Sequence, residues 1–536
     1  MSKTKNQRDK KQQLGQFMTP FDLSNKIINK ITFKITDKIL EPSMGDGSFI
    51  IAIIRKIIND VYDNSTDFQT TINEILINNI WGVEFDEILY HQTLNNIEST
   101  FGIKIHEHNF ILSDFFKWDS DIKFNYVIGN PPFGGTIDSS LHNIVEKKYG
   151  KRFNIKIKKE TYSMFMVKSH EHLDDGGVII FISSDTFLTI KTMKGLRNFL
   201  FNTGFVNILK LKYFSEETDY GMVVMFYKKD KIKDYIVINK SKINKELINL
   251  TDNLSWSINE KYAKYFRKNK LSKYITTSSG MTVGKNELFL KNIDSNNKII
   301  EKYNYSYFKD TITLDNEINK AKNNLISDNK KEIIKKQELN GETVRNLKVI
   351  ELETPITIQL PNPDYCYYNK ATSDIIYSKP NTVIYWKDDG DAVYTFKKNG
   401  NWYLHGIGGK PFFKMEGITW RLISNKILMR YLEPGYILDS GSPIGVLKKG
   451  VDKDELFFIL AWTLSDLCND ILKKVINHTT NIQSKDVERL PYPYWVKDDD
   501  KKMIVSLIKK HIRDIKNNID INTESLLNIL NSVFNY

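Results

Sequence analysis

The chain has 536 residues, more than one hydrophobic core usually supports, so we expect two or more domains. With 41% hydrophobic, 12% aromatic and 26% charged residues, its composition is that of a globular protein and excludes disordered, collagenous and coiled-coil classes. The formal net charge of +12 favours a polyanionic partner, and basic residues exceed acidic ones in both halves (34 to 30 in residues 1–250, 43 to 35 in residues 251–536).

Cysteine content and hydropathy bear on the compartment. The two cysteines, Cys366 and Cys468, are too few for a disulfide framework or a cysteine-based zinc site, and they suit a reducing compartment. The first 13 residues are polar and basic, without the apolar segment of a secretory signal. The longest apolar runs, Phe49–Ile58 and Phe457–Leu464, are far shorter than the roughly 18 residues of a membrane span. We therefore expect a soluble cytoplasmic protein with no membrane partner and no bound metal.

Residues 36–228 alternate short apolar runs with segments of helical period, which is typical of a mostly parallel sheet with crossover helices. Strands are predicted at Lys38–Leu40, Ile80–Glu84, Glu107–Leu112, Phe124–Gly129, Gly177–Ser183, Val206–Lys212 and Met222–Tyr227. Helices are predicted at Ser48–Ile58, from Asp86 to about Thr100, at Thr161–Leu173 and at Ile190–Asn202. The order predicts an α/β, Rossmann-like domain.

The pattern changes past residue 230, where strands and helices mix without a βα rhythm and Lys and Asn become frequent. This predicts a mixed α+β second domain, with residues 1–245 forming the first domain and residues 246–536 the second. The polar stretch Asn292–Asn340 is interpreted as an exposed helical insertion.

A glycine turn follows the first predicted strand. Glu41-Pro42-Ser43-Met44-Gly45-Asp46-Gly47 leads directly into a predicted helix, and its two glycines allow backbone N–H groups to approach a ligand closely. The acid at the head of the turn argues against pyrophosphate, because a carboxylate repels phosphate and suits an ammonium group. A plain structural turn is the alternative for this motif taken alone.

Acidic side chains also stand near the ends of the next two strands, Glu84 and Asp114. Ligands of doubly wound sheets lie beyond the carboxyl ends of the strands, where a carboxylate can accept both hydroxyls of a ribose. Asp114 would be placed to accept from an exocyclic amine, with Phe115 against a purine face. Either acid alone could be a solvated loop residue, but three acids in succession are harder to dismiss.

The most informative motif is Asn130-Pro131-Pro132-Phe133, which ends an apolar strand. The prolines restrict the backbone, so the Asn130 side-chain oxygen and the Pro131 carbonyl can be aimed at one donor, such as a planar amino group. Two acceptors lying out of the ring plane would draw the nitrogen lone pair out of conjugation, toward an electrophile. Phe133 would stack on the ring.

Together these motifs resemble the S-adenosylmethionine-dependent DNA adenine-N6 methyltransferases. Gly15-Gln16-Phe17-Met18-Thr19-Pro20 is similar to the cofactor motif that precedes the glycine turn in the gamma arrangement of type II restriction-modification methylases. The resemblance covers roughly residues 14–230. It is looser at residues 279–284, 478–486 and 491–493, which resemble the edges of recognition domains. It implies that residues 1–245 form the S-adenosylmethionine-dependent catalytic domain and residues 246–536 the DNA target-recognition domain.

The resemblance also implies roles for individual residues. Cofactor binding falls to Thr19, Pro20, Glu41, Pro42, Gly45, Gly47, Glu84, Asp114 and Phe115, with Glu41 at the ammonium, Glu84 at the ribose and Asp114 with Phe115 at the adenine. The target base falls to Asn130, Pro131 and Phe133, where the family often has Tyr in place of Phe133. Candidate contacts to the flipped base or to DNA are Phe214, Lys410, Lys414, Arg421 and Arg430.

The expected reaction is therefore sequence-specific methylation of a flipped-out adenine in duplex DNA by a monomer, with a cognate restriction endonuclease as a candidate partner. Two alternatives stay open: methylation of RNA adenine or protein glutamine on the same fold, and a DNA-binding protein without catalysis. The intact Asn130–Phe133 loop argues against the second alternative, because a pure binder does not need that loop.

Overall fold

The computed structural model describes residues 18–61, 67–132, 143, 147–148, 161–211, 221–283, 285–308, 332–339, 343–395 and 407–535. The chain divides into two compact units, Met1–Ala263 and Lys264–Tyr536. The boundary between residues 245 and 246 that the sequence predicts falls inside the first unit. The division of catalysis and DNA recognition between domains stays a prediction.

The first unit is built on one large sheet. Its described strands are β1 Ile39–Glu41, β2 Ile80–Glu84, β3 Asn109–Leu112, β4 Phe124–Gly129, β5 Leu173–Ser184, β6 Gly204–Lys210, β7 Met222–Lys229, β8 Tyr235–Ile238 and β9 Ser241–Asn244. They lie in the order β3-β2-β1-β4-β5-β7-β6-β8-β9. The five strands from β3 to β5 pair in parallel, and β7 is antiparallel to both β5 and β6.

The strand order reverses between β1 and β4. Leu40 of β1 lies opposite Trp81 of β2 on one side and Val127 of β4 on the other. Such a reversal opens a crevice at the carboxyl ends of the strands, which is where doubly wound sheets bind ligands. The end of β1 is therefore the expected centre of a site.

Helices cover the sheet. The described helices of this unit are α1 Phe21–Ile28, α2 Ser48–Val61, α3 Phe68–Asn78, α4 Glu87–Phe101, α5 Thr161–His172, α6 Lys194–Thr203, α7 Lys245–Asn249 and α8 Glu260–Ala263, with 3₁₀ turns at Asp185–Leu188 and Lys191–Met193. Helix α2 buries Phe49, Ile50, Ile53, Ile54 and Ile57, which form its face toward the core. The seven predicted strands and four predicted helices are present, with ends that move by a few residues. The α3 helix and the β8–β9 pair were not predicted.

The second unit contains three smaller sheets among its described residues. Their strands are β10 Ile275–Ser278, β11 Leu290–Asn292, β12 Lys298–Phe308, β13 Glu332–Leu339, β14 Thr343–Gln359, β15 Tyr365–Asn369, β16 Ile376–Tyr377, β17 Thr382–Tyr385, β18 Gly417–Trp420, β19 Met429–Leu432, β20 Tyr436–Leu438 and β21 Ile444–Leu447. The sheet orders are β10-β21-β18-β19-β16, β11-β17-β15-β20 and β12-β14-β13. The prediction of a helical insertion at Asn292–Asn340 was wrong, because this range contains strands β12 and β13, and each of them pairs with β14.

Helices complete the second unit. They are α9 Asn286–Phe289, α10 Asp454–Leu464, α11 Asp466–Ile471, α12 Ser484–Arg489, α13 Asp498–Lys516 and α14 Thr523–Phe534, with short turns at Lys264–Arg267, Leu271–Lys273, Lys387–Thr395, Ile407–Phe412 and Leu472–Ile476. Trp420 and Trp462 are fully buried, and each indole N–H donates to a backbone carbonyl. The prediction of an α/β fold with a mostly parallel sheet, followed by a mixed α+β region, is confirmed. Among the described helices none is both long and apolar enough to cross a membrane.

Candidate active site

The carboxyl end of β1 holds a buried acid. Glu41 is 2% exposed, and its Oε2 has no hydrogen-bond partner among the described residues. Burial raises the pKa of Glu41 well above its usual value, the negative charges of Asp46 and Glu84 raise it further, and a hydrogen bond from the Ile50 backbone lowers it. A buried carboxyl group without a cation nearby is costly, so this position favours a positively charged ligand group.

The glycine turn after β1 requires its glycines for two reasons. Gly45 has φ of 59° and Gly47 has φ of 83°, a conformation that other residues rarely adopt. A Cβ on Gly47 would also lie 3.0 Å from Thr93 Cγ2 on α4. The Thr93 hydroxyl donates to the Gly45 carbonyl over 3.0 Å. The turn is therefore fixed by its packing on α4, and the close approach of a ligand to Gly45 and Gly47 stays a prediction.

Glu84 at the end of β2 is fixed by backbone amides. Its Oε2 accepts from Gly45 N over 2.8 Å, and its Oε1 accepts from Phe85 N and Asp86 N, each over 2.9 Å. Burial raises the pKa of Glu84 in spite of these three bonds. The carboxylate is therefore held rigidly beside the glycine turn, where its unused lone pairs can accept hydroxyl groups.

An exposed apolar group lies at the same strand ends and was missed in the sequence. Phe85 is 64% exposed, Ile88 75% and Leu112 44%. Phe85 directly follows Glu84, and Glu84 lies opposite Leu112 in the register of β2 and β3. Exposed large apolar side chains beside a cluster of polar groups are a common feature of ligand sites. The signal available in the sequence was an aromatic residue immediately after a strand-end acid.

The turn after β3 carries Asp114. Its Oδ1 accepts from Phe116 N over 2.9 Å, and Ser113 N donates to the Glu84 carbonyl over 2.8 Å, which ties this turn to the end of β2. Phe115 is 2% exposed and stacks on Phe165 of α5 with ring centroids 5.0 Å apart. Phe115 thus packs in the core, and its predicted contact with a purine face stays a prediction.

The Asn130 loop begins where β4 ends, directly beside the glycine turn. A Cβ built on Gly129 would lie 3.6 Å from Glu41 Cγ, and Ser43 Oγ donates to the Asn130 carbonyl over 3.4 Å. Pro131 is buried, and the Thr161 hydroxyl at the start of α5 donates to the Pro132 carbonyl. The first residues of the loop are therefore fixed on two sides. Phe133 and Phe214 lie outside the described residues, as do residues 15–17.

The N-terminal motif meets the turn from the other side. Pro20 precedes α1, whose residue Ser24 donates through its hydroxyl to the Ser48 carbonyl over 3.1 Å. A Cβ on Gly45 would lie 3.4 Å from Met18 Sδ, and Thr19 is buried. The structure thus brings Thr19, Glu41, Gly45, Glu84 and the Asn130 loop to one edge of the sheet.

The four predicted DNA contacts in the second unit fall into two groups. Lys410, Lys414 and Arg421 are exposed. Arg430 on β19 is 2% exposed, and its Nη2 donates to Asn369 Oδ1 and to the Lys370 carbonyl, each over 2.8 Å. Burial lowers the pKa of Arg430 to about 10. These contacts give Arg430 a structural role, and the three exposed residues keep their DNA assignment as a prediction.

The described part of the chain contains no group of three or more His, Cys, Asp or Glu side chains arranged to hold a metal ion.

The chain is similar to known proteins over part of its length. Residues 28–218 match the family described as Eco57I restriction-modification methylase. The chain is 29% identical over 176 residues to the Type II methyltransferase M.BstVI of Geobacillus stearothermophilus, covering 30% of this chain and 31% of that protein. It is 28% identical over 249 residues to the Type II methyltransferase M.HincII of Haemophilus influenzae, covering 44% and 42%. These matches span less than half the length of either relative.

Two solved structures resemble nearly the whole chain. One is a DrdV–DNA complex, with a TM-score of 0.56 at 12% identity, covering 94% of this chain and 58% of that one. The other is a nuclease-deletion mutant of the Type ISP restriction-modification enzyme LlaGI with a DNA substrate mimic, with a TM-score of 0.56 at 13% identity, covering 92% and 54%. Such low identities indicate a shared fold only. The part of the chain that carries the strand-end acids and the Asn130 loop is thus similar in sequence to restriction-modification methylases of the Eco57I family.

Proposed function

We propose that the protein is a sequence-specific DNA methyltransferase that transfers a methyl group from S-adenosylmethionine to the N6 amino group of a flipped-out adenine. The observation that carries this proposal is the convergence of Glu41, Glu84 and the Asn130 loop at the switch point of a mostly parallel sheet. The match of residues 28–218 to the Eco57I family and the similarity to Type II methyltransferases support it.

The residues at the strand ends fit S-adenosylmethionine. The buried Glu41 Oε2 lacks a partner among the described residues, and an ammonium group would supply one. Glu84 has lone pairs left for ribose hydroxyls, and Asp114 can accept from the adenine amine. Phe85 offers an exposed aromatic face for the same ring. When bound, the cofactor would supply a methyl group on a positively charged sulfur, and a nitrogen nucleophile can displace that sulfur from the methyl carbon.

The chemistry left to the protein is to make an amino nitrogen nucleophilic. The Asn130 side-chain oxygen and the Pro131 carbonyl can each accept a hydrogen bond from the target amino group, which draws its lone pair out of the ring. With the cofactor bound, that lone pair would be free to bond to the methyl carbon as the C–S bond breaks with its electrons on sulfur, and the nitrogen would lose one proton to solvent. No strong base is required, because the amino group becomes acidic once it has been methylated. Positioning therefore accounts for most of the expected rate increase.

Target recognition falls to the second unit. Flipping a base costs a few kcal/mol, so the duplex must be held by contacts outside the reaction site. The exposed Lys410, Lys414 and Arg421 are candidates for phosphate or guanine contacts. The similarity of fold to a DrdV–DNA complex supports duplex DNA as the substrate. We further propose a gamma-type arrangement, a monomer and a cytoplasmic location, with a cognate endonuclease as a possible partner.

The test is to incubate the protein with methyl-labelled S-adenosylmethionine and duplex DNA of random sequence, and then to map modified bases by sequencing. We expect N6-methyladenine at one sequence motif. Label in RNA or in protein glutamine would favour the alternative substrates on the same fold. Specific DNA binding without any label transfer would favour a non-catalytic DNA-binding protein. Methylcytosine in the DNA would contradict the adenine assignment alone.

A further inference from the structure

A lysine is buried behind the proposed adenine subsite. Lys168 on α5 is 1% exposed, and its Nζ donates hydrogen bonds to the backbone carbonyls of Phe115 and Trp118. The Nζ also lies 4.8 Å from the centroid of the Phe115 ring, within the range of a cation–π interaction. The ammonium group thus binds both ends of one short segment.

That segment is the turn that carries Asp114. Lys117 N and Trp118 N donate to the Asp114 carbonyl over 2.9 and 3.0 Å, so the turn folds back on Asp114. Phe165 and His172, on the same face of α5 as Lys168, pack against Phe115. The turn therefore sits on one helical face, and Lys168 makes the polar contacts of that face with the turn.

Burying an ammonium group is costly, so the position calls for a reason. Burial lowers the pKa of Lys168 to about 8. Neutral donors could satisfy the two carbonyl acceptors. The chain instead buries an ammonium group, which lowers the stability of the fold because the group loses its hydration. The titratable neighbours that act on Lys168 are Asp114, Asp119, Lys148, Glu171 and His172.

His172, which packs against Phe115 of the same turn, carries no charge near neutral pH. Burial and the charge of Lys168 lower its pKa to about 4, so His172 is neutral above pH 5. The other neighbours include carboxylates. One of them, Asp119, pairs with Lys148, whose Nζ lies 3.4 Å from Asp119 Oδ2. Among the described neighbours of the turn with a shifted pKa, Lys168 is the group whose charge changes between pH 7 and 9.

We propose that Lys168 is a positioning residue that fixes the Asp114 turn in the shape that receives the adenine end of the cofactor. This inference rests on the proposed function. Below about pH 8 the ammonium group makes two charge-assisted hydrogen bonds to the turn. As the pH rises through 8, Lys168 becomes an amine, its hydrogen bonds weaken, and the turn loses part of its support.

The experiment measures the Kd of S-adenosylmethionine by calorimetry for the wild-type protein, K168M and K168R from pH 7 to pH 9. At pH 7 we expect K168M to bind about tenfold more weakly than wild type. This factor corresponds to the loss of about one such hydrogen bond. The cofactor's own α-amino group titrates near pH 8, so the variant-to-wild-type ratio of Kd is the quantity to compare. That ratio should fall to about two at pH 9, where the hydrogen bonds of Lys168 to the turn are also weakened in the wild-type protein. K168R, which stays charged, should bind at least as tightly as wild type at pH 9.

Lys123 provides a matched control. Its Nζ also donates to a carbonyl, that of Glu171, over 2.8 Å, but Lys123 is exposed and does not touch the turn. K123M should give a ratio near one at every pH. A K168M ratio that stays near one, or that does not change with pH, would overturn the inference while leaving the proposed function intact. If K168M fails to fold, K168R and wild type are compared instead. A K168R protein whose cofactor affinity falls with pH in parallel with that of wild type overturns the inference. A wild-type protein that binds no S-adenosylmethionine overturns the proposed function and this inference together.

Discussion

Both units of the molecule bury acidic side chains, and Glu41 in the first unit differs from Asp486 in the second in the partners that it finds. In the second unit Asp486 is 5% exposed and accepts hydrogen bonds from Asn477 Nδ2 over 2.7 Å, Gln483 N over 3.0 Å and Arg489 Nη1 over 3.0 Å. In the first unit Glu41 is buried more deeply, at 2% exposed, yet its Oε2 has no partner among the described residues.

The difference separates a structural acid from a binding one. A buried acid whose partners are all supplied by the chain contributes to the fold, because removing one partner leaves a charge uncompensated. A buried acid with an unused oxygen lowers the stability of the chain alone and gains its partner only when a ligand arrives. Four substitutions test whether the first unit holds a binding acid, Glu41, and the second a structural acid, Asp486.

The largest effect is expected in the reaction itself. Asn130→Ala removes one of the two acceptors proposed to hold the amino group, and loss of one such preorganised group typically costs about 10²- to 10³-fold in kcat. Methyl transfer should fall by that factor, while the Kd of S-adenosylmethionine changes by less than about threefold. Steady-state kinetics together with calorimetry measure both quantities. Unchanged kcat would remove the assigned role of the loop.

The second effect is on stability and belongs to the second unit. Arg489→Met leaves Asp486 buried without its cation, so we expect a loss of about 3 kcal/mol in the free energy of unfolding and no change in cofactor affinity. Urea denaturation measures the first quantity. Lys474→Met breaks the exposed pair with Asp470 and is the control, with an expected loss below about 0.5 kcal/mol. Equal losses in the two variants would contradict a structural role for the buried pair.

The opposite pattern is expected at Glu41. Glu41→Gln removes the charge proposed to bind an ammonium group, so cofactor affinity should fall at least tenfold while stability at pH 7 stays equal or rises. The sign of the pH dependence follows from the raised pKa. Stability is fully present below the ordinary pKa of the carboxyl group and is lost as the pH rises through the raised value. The ligand-free wild type should show this decline, and Glu41→Gln should not. A destabilised Glu41→Gln protein would make Glu41 a structural acid like Asp486.

The smallest effect concerns the exposed aromatic. Phe85→Ala should weaken cofactor binding about fivefold, since stacking on a base is worth roughly 1–3 kcal/mol and only part of it is lost at an open face. Stability should not change, because Phe85 is 64% exposed. Ile35 is 59% exposed and lies before β1, at the amino ends of the strands and opposite the site, so Ile35→Ala is the matched control. Equal affinities in both variants would remove Phe85 from the site.

Much of the first unit could be predicted from the sequence. The ranges Ile80–Glu84 and Phe124–Gly129 are apolar runs bounded by polar or glycine-containing turns, and both match the observed strands. Helix α3, Phe68–Asn78, was missed although its buried Ile72, Ile75 and Leu76 recur at helical spacing and Asp67 caps its first turn. In the second unit the pairing of β12 with β14 joins residues about 50 positions apart. Such pairing depends on long-range contacts, which local periodicity does not encode.

The predicted site residues divide in the same way. Glu41, Glu84 and Asn130 could be placed at strand ends, because the carboxyl ends of parallel strands meet at one edge. Their partners could not be predicted, since the Glu84–Gly45 bond and the unused Glu41 oxygen depend on burial in three dimensions. Arg430 in the second unit, which was predicted to contact DNA, shows the same limit. Its sequence context does not reveal that Asn369 and Lys370 receive its guanidinium group in the interior.

Helix α5 connects two parts of the proposed site. Thr161 in its first turn donates to the Pro132 carbonyl of the Asn130 loop, and Lys168 donates to the turn that carries Asp114. The two residues are seven positions apart, or about 10 Å along the helix axis. A helix is stiff along its axis, so it acts as a fixed spacer between the place proposed for the target base and the place proposed for the adenine of the cofactor. Inserting or deleting one residue between Thr161 and Lys168 would rotate one anchor away by about 100°, and would therefore uncouple the two places without altering a side chain in either.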